Sequence, residues 1–497
     1  MYHHSEHQML LPDDFFLPFG GRLNPDNRWV VLASLIPWWK VEEAYKETLK
    51  DLTQGNQAYS VRMALGALII KEKLGTSDRE TVEQMTENPY LQYFLGLPEF
   101  TETAPFDAST MTHFRKRISR EMIDQVNAWI VEDQQSQKDS GDGDDDDDHR
   151  GTPSSSAPAE EKKKETDAAE THQGKLLIDA TCAPAAITYP TDLKLLNEAR
   201  EKLETMIDVL HEPFRGSRKK PRTYRNQARK SYLSIAKQKS PKRKKVRKAI
   251  RKQLGYVERD LNHLEKLSLQ SGLDRLSRKQ YGELFVIQEL YRQQRQMYDS
   301  KTHRIEDRIV SIHQPHVRPI VRGKAHTNVE FGAKLSMSLV DGWAFLDNLQ
   351  WDAYHEAADL PGAVEAYAQR AGVYPEAVLA DKIYLTRENR KYCKERGIRL
   401  TGPKLGRPPK QESKEQKQIE KQDAAERNAI EGKFGEGKRT YGLGLIRACL
   451  RNTSETVISL QVLVMNLSKA LREHSFFIFF MYLVQDVRCS EGSPKVA

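Results

Sequence analysis

The chain has 497 residues, 38% of them hydrophobic and 30% charged, and a formal net charge of +8. That length has room for two or three domains, and the composition buries a core while leaving much polar surface. The four cysteines, Cys182, Cys393, Cys449 and Cys489, stand far apart with no CxxC spacing. This argues against a zinc site and a disulfide framework and fits a reducing cytoplasm. Met1 to Asp14 lacks a basic stretch followed by an apolar one, so no signal peptide is expected.

Residues 28–130 read as helical. Val61 to Leu74 is apolar-periodic and ends at Gly75. Ser77-Asp78-Arg79-Glu80 has the form of a capping box for the next helix, and a further piece begins near Asn88-Pro89. Asp107 or Ser109 is placed to cap a helix with Met111, Phe114 and Ile118 on one face. Arg115, Lys116 and Arg117 fall on its other faces. Short helices, tight turns and a basic last helix suit helix-turn-helix DNA binding, with a plain helical bundle as the alternative. An all-α N-terminal DNA-binding domain is thus expected over 1–134. Residues 135–174 hold Asp144 to Asp148, Ser154 to Ser156 and Lys162 to Lys164, with sparse apolar residues. They read as a disordered acidic and polar linker.

The apolar run Leu176-Leu177-Ile178 before Asp179 reads as a buried strand. Hairpin partners for it appear only at Val329 to Leu339 and Trp343 to Leu349, with Asp341-Gly342 as the turn between them. The stretch between, 191–307, is helical and charged and reads as an insertion. Inside it, Arg215 to Lys252 carries eighteen Lys/Arg and no Asp/Glu; taking these from +8 leaves about −10 for the rest of the chain. A concentrated basic segment on a mildly acidic body points to a polyanion, and Arg222, Arg225, Lys242, Arg243, Lys244 and Lys245 are its candidate phosphate contacts. A solvated helix face is the bland alternative.

After Leu360 come a helix at Gly362 to Ala371, a strand at Ala377 to Ala380, a short helix at Asn389 to Arg396 and a strand at Ile398 to Leu400. A Pro- and Lys-rich loop over 403–417 precedes the helix that carries Glu431. The order β-β-β-α-β-α-β-α, with one large insertion, defines an α/β fold. A ribonuclease-H-like mixed-sheet catalytic core is expected over 175–475, with a long helical insertion after the first strand. Residues 476–497 are expected to form a C-terminal tail. Its apolar run Phe476 to Val484 is shorter than the about 20 residues that span a bilayer, so a buried helix or strand is expected and no membrane.

Asp179, Asp381 and Glu431 are the candidate metal ligands. Asp179 and Asp381 each close an apolar strand, and Glu431 lies on a helix with Arg427 four residues before it and Lys438 seven after. Those spacings put all three on one helix face. Carboxylates suit a hard cation such as Mg²⁺ (or Mn²⁺), and two such ions can activate a water or hydroxyl and steady the leaving oxygen in phosphoryl transfer. Asp341 is the rival of Asp381, and Glu426 and Glu436 are rivals of Glu431. His313 and His316 flank Gln314-Pro315 without placed carboxylates or cysteines and read as ordinary polar residues.

At these residues the chain resembles the DDE transposases of bacterial insertion sequences. The pattern Arg427-x3-Glu431-x6-Lys438 is similar to the hallmark of one large branch, in which Ala424 would usually be Tyr. Leu177 to Thr181, Arg318 to Lys324, Glu330 to Lys334, and Asp381 to Tyr384 with Asn389-Arg390 resemble the same branch. The resemblance spans about 9–130 and 175–470. It implies catalysis by Asp179, Asp381, Glu431, Arg427 and Lys438 with two Mg²⁺ (or Mn²⁺) ions. It also implies double-stranded DNA partners (element ends and target), a homodimer in the DNA complex, and a cytoplasmic, nucleoid-associated location. The expected activity is cleavage at the terminal inverted repeats and joining of the 3′ ends to target DNA. A non-catalytic DNA-binding descendant and a metal-dependent nuclease without strand transfer are the alternatives.

Overall fold

The computed structural model describes residues 10–18, 20–48, 58–141, 172–321, 329–402 and 414–491. Seven helices come first: α1 Arg28–Leu35, α2 Trp38–Thr48, α3 Val61–Leu74, α4 Asp78–Glu87, α5 Pro89–Phe94, α6 Thr110–Arg117 and α7 Arg120–Gly141. Their starts follow local chemistry. The side chains of Asn27, Ser60, Ser77 and Asn88 each accept an N–H from the first turn they precede. Gly75, at φ 68, closes α3 in a left-handed conformation that a side chain would disfavour. Helix α7 continues to Gly141, so the first part of the stretch read as linker is helical. The Asp144–Asp148, Ser154–Ser156 and Lys162–Lys164 runs lie outside the described residues.

The remaining elements are β1 Lys175–Pro184, α8 Asp192–His211, α9 Arg225–Ala236, α10 Arg243–Ser271, α11 Arg278–Ser300, β2 Arg318–Val321, β3 Val329–Val340 and β4 Trp343–Gln350. Then come α12 Leu360–Ala371, β5 Ala377–Ala380, α13 Arg387–Glu395, β6 Arg399–Leu400, α14 Lys414–Thr440 and α15 Arg451–Glu491. The six strands form one mixed sheet in the order β2-β3-β1-β5-β6, with β4 also paired to β3. Strand β1 is antiparallel to β3 and parallel to β5. Asp341 (φ 49) and Gly342 (φ 80) form the β3–β4 turn with both residues at positive φ, as the strand twist requires of a two-residue hairpin.

Two expectations need correction. β2 was not anticipated as a strand, and α14 starts at Lys414, inside the stretch read as loop. Pro184 and Arg318 both stand opposite Gly332, one on each side of β3. The helices α8–α11 therefore leave and rejoin the sheet at a single level of β3. A Cβ on Gly332 would lie 2.1 Å from the Ala183 carbonyl oxygen, so only glycine fits there.

One apolar core joins α1–α7, α15 and the far ends of β1, β3 and β4. Inside it, Asn466 of α15 donates to Asn127 of α7 (2.8 Å) and to the Ala344 carbonyl of β4 (2.7 Å), and accepts from the Ala344 N–H (2.9 Å). A buried amide with this many partners fixes how the three elements meet. The insertion has its own core, built on Leu196, Leu203, Ile207, Leu254, Val257, Ile287 and Leu290. The run Phe476 to Val484 continues the α15 helix. No helix among the described residues is long and apolar enough to cross a membrane.

Candidate active site

Strand β5 stops at Ala380, opposite Ile178, while β1 runs on to Pro184. Asp179 is thus not at the end of its own strand, as the sequence suggested. It is the first β1 residue beyond the end of its neighbour. Asp381 follows β5 directly, so the two acids sit side by side at one lip of the sheet. Leu177 and Leu379, two residues before each, pack with Ile430 and Phe434 of α14. The period of two along a strand brings Asp179 and Asp381 to that same face.

Each aspartate accepts the N–H of the residue after it: Ala180 to Asp179 Oδ1 at 2.8 Å, Lys382 to Asp381 Oδ1 at 2.7 Å. Asp381 thereby caps a 3₁₀ turn over Lys382–Tyr384. Burial lifts the Asp179 carboxyl to about 6; the Ala180 N–H opposes the rise, nearby Glu356 and Asp381 add to it, and Arg427 works against it. Glu356 lies in the 3₁₀ turn Glu356–Asp359 before α12 and reaches Lys334 Nζ at 3.4 Å. That turn is held against the Asp381 loop by Asn389, whose amide donates to the Ala357 (2.8 Å) and Tyr384 (2.9 Å) carbonyls. Sequence reading missed Glu356; its only signal was an acid just ahead of a helix near the strand ends.

Helix α14 is tied across the sheet by its acids. Lys175 donates to both oxygens of Glu426 (2.9 and 2.8 Å), which holds that carboxyl below its usual range, and Arg399 pairs with buried Asp423. Glu436 pairs with Lys433 (3.2 Å) and Arg472 (3.3 Å). Glu431 is exposed and meets Arg427 at 3.2 Å. Lys438 lies two turns on, on the same side of the helix. Asp341 sits in the β3–β4 turn, near the N-terminal end of β1 and away from Asp179. Among the described residues, no three His, Cys, Asp or Glu side chains stand close enough together to hold a metal ion. Asp179 and Asp381 are neighbours, Glu356 is within electrostatic reach, and Glu431 is turned to Arg427.

The basic residues divide. Arg115 makes a two-pronged bond to Asp78 (3.0 and 2.6 Å), so it joins α6 to α4, while Lys116 and Arg117 are exposed. Arg225 is drawn to Asp208 (3.1 and 2.8 Å), whereas Arg222 is exposed. Lys242 precedes α10, and Arg243, Lys244 and Lys245 fill its exposed first turn with no acid among them. A helix N-terminus carries partial positive charge, so each of these cations costs stability there unless an anion is bound. His313 lies between Glu198 and Glu283, at 3.3 Å from each; burial pushes His316, packed on Trp351, down to about 4.

Residues 378–468 match the family model of a transposase DDE domain, and residues 18–117 match that of a transposase domain (DUF772). A protein of Rhizobium meliloti, described as uncharacterized protein ORF8 in the nfe locus, is 30% identical over 182 residues, covering 36% of this chain and 73% of the relative. The chain belongs to the DDE transposases of insertion sequences. No solved structure matches it.

Proposed function

We propose that this chain binds the terminal inverted repeats of an insertion sequence, cleaves DNA at the ends and joins the 3′ ends to target DNA. The observation that carries the reading is the pair of Asp179 on β1 and Asp381 directly after the adjacent parallel β5, with the Glu431 helix across the same face. The strand order β4-β3-β1-β5-β6, with β1 flanked by antiparallel β3 and parallel β5, supports a ribonuclease-H-like core. In this reading 1–134 is the DNA-binding domain, 135–174 a linker, 175–475 the catalytic domain with the insertion at 191–307, and 476–497 a tail. The protein acts in the cytoplasm at the nucleoid, as a homodimer on double-stranded DNA.

The donors fit a hard divalent cation. They are carboxylates only, and Glu356 and Asp381 add negative charge around the buried Asp179 that Arg427 offsets only in part. Asp179, Asp381 and Glu431 would hold Mg²⁺ or Mn²⁺, which supplies an acidified water or 3′-hydroxyl and stabilises the leaving oxygen. The protein's own part is positioning. The sheet sets both aspartates at one lip, α14 carries Glu431 across that face, and Glu431 would turn to them once Arg427 exchanges its bond to Glu431 for a DNA phosphate. Lys438 contacts the backbone further along the same face.

The test is Mn²⁺ binding followed by electron paramagnetic resonance, together with cleavage of a duplex carrying the element end. Asn at 179 or 381, or Gln at 431, should weaken the Mn²⁺ signal and abolish cleavage while DNA binding persists. Wild-type Mn²⁺ affinity in all three variants would reject the ligand set. The Arg427–Glu431 pair favours a second reading, a DNA-binding descendant without catalysis; wild-type cleavage excludes it.

A further inference from the structure

A cleft of about 570 Å³ opens between the N-terminal helices and the end of α14. One wall is the end of α3, the turn to α4, and Arg115 of α6. The other is Lys438 and Arg439 at the end of α14 with the turn that follows, and α15 lies beneath. Five cations and two acids line it, a net charge of +3. Both acids are already engaged: Asp78 holds Arg115 (2.6 Å), and Glu72 meets Lys71 (3.4 Å) and Gln461 (3.2 Å). No carboxylate pairs with Arg439 or Arg447 among the described residues, and both are exposed.

The far wall is built to hold its shape. Ile446 donates to the Pro184 carbonyl (2.8 Å) and accepts from the Ala186 N–H (2.9 Å), so the turn is zipped to the end of β1. A Cβ on Gly444 would lie 2.7 Å from the Lys438 carbonyl oxygen, so the turn folds directly onto the helix end. Arg447 is thereby fixed near Lys438. Lys438 is seven residues beyond Glu431, about 10.5 Å at 1.5 Å per residue. That distance corresponds to about three 3.4 Å rises along the axis of B-DNA.

We propose that this cleft seats the phosphate backbone of duplex DNA beside the cleaved bond, with Arg439 and Arg447 as anchoring cations. The inference rests on the DNA-cleaving reading above and adds where the strand runs once it leaves the acids. It also gives the N-terminal helices a second task. Through Arg115 and Lys71 they complete a wall within reach of the catalytic helix of the same chain.

The experiment is a salt titration of duplex binding by fluorescence anisotropy, on the full chain and on an Arg439→Gln/Arg447→Gln variant. The control is Arg292→Gln/Arg295→Gln on α11, whose cations already pair with acids of their own helix. Thermal unfolding confirms that each variant folds. Losing two phosphate contacts should flatten the slope of log K against log salt by about 1.8. The advantage of wild type over the cleft variant then falls about twelvefold between 50 and 200 mM salt, and the control keeps the wild-type slope. A cleft variant with the wild-type slope, or a control that flattens equally, overturns the cleft. Salt-independent or absent binding by the wild type would overturn the DNA reading itself.

Discussion

The sheet and the insertion each bury an acid under tension, and the two are instructive side by side. Burial lifts Asp179 to about 6 and Asp260 of α10 to about 7. Asp260 is fully buried and lies among Glu204, which raises it, and Arg200, Arg259 and Arg225, which oppose the rise. All five belong to the insertion, and Arg200 and Glu204 are buried with Asp260. Asp179 draws its neighbours from separate segments: Asp381 after β5, Glu356 before α12 and Arg427 on α14. A shifted carboxyl alone marks neither region as catalytic. Acids converging from distant segments on a strand lip make a candidate site, whereas a closed acid–arginine knot inside one helical bundle reads as part of its architecture.

The comparison breaks first on activity. Asp179→Asn should lower metal-dependent cleavage by roughly a thousandfold, the scale of several kcal/mol of transition-state charge stabilisation. Asp260→Asn should leave cleavage within about twofold. A nicking assay on end DNA measures both, and equal losses would erase the distinction.

The next effect belongs to the insertion surface. Gln at Lys242, Arg243, Lys244 and Lys245 should flatten the salt slope of DNA binding by about 3.6, or about 150-fold in relative affinity from 50 to 200 mM. Preference for end DNA over scrambled DNA should persist, because phosphate contacts carry no sequence information. An unchanged slope would return the segment to a solvated helix face.

Stability separates the regions by pH. Asp260 has a raised pKa in the folded state. Its contribution is therefore fully present below about pH 3.8 and is lost as pH rises through about 7. Asp260→Asn removes that loss. The variant should be more stable than wild type at pH 8, on the order of 4 kcal/mol, and the gap should close towards pH 4. Thermal melts at the two pH values decide it; a gap that widens at pH 4 contradicts the assignment.

The smallest test uses helix caps. Ser277 and Gln280 form a reciprocal capping box at α11, and Thr386 caps α13 just after the Asp381 loop. Alanine at either should cost about 1 kcal/mol in denaturant melts. Only Thr386→Ala should also slow cleavage, since its helix supports the loop that carries Asp381.

Much of the frame was legible because periodicity and turn chemistry are local. Val61–Leu74 with Gly75, the Asp341-Gly342 turn and the Ala377–Ala380 strand appear where the pattern sets them. β2 escaped because four residues beginning Arg-Pro lack alternation. The far half of β1, Ala180 to Pro184, is built of small residues without an apolar signature. The engagement of Arg115 and Arg225 was hidden for another reason. Their acids lie 37 and 17 residues away, so only the packed fold reveals that these cations are already occupied. Glu356 escaped in the same way, since its nearness to Asp179 exists only across folded segments.

The junction at Gly332 bears on how such a protein changes over generations. The chain departs after Pro184 and returns at Arg318, and only β3 lies between, so the two ends are about two strand spacings, roughly 10 Å, apart. Closing a longer or shorter excursion across that gap alters the entropy by only about 0.6 kcal/mol per doubling of length. The sheet is therefore almost indifferent to what is hung there. The helices between β1 and β2 can be exchanged, shortened or enlarged at little cost to the sheet, provided the glycine at the socket's rim is kept.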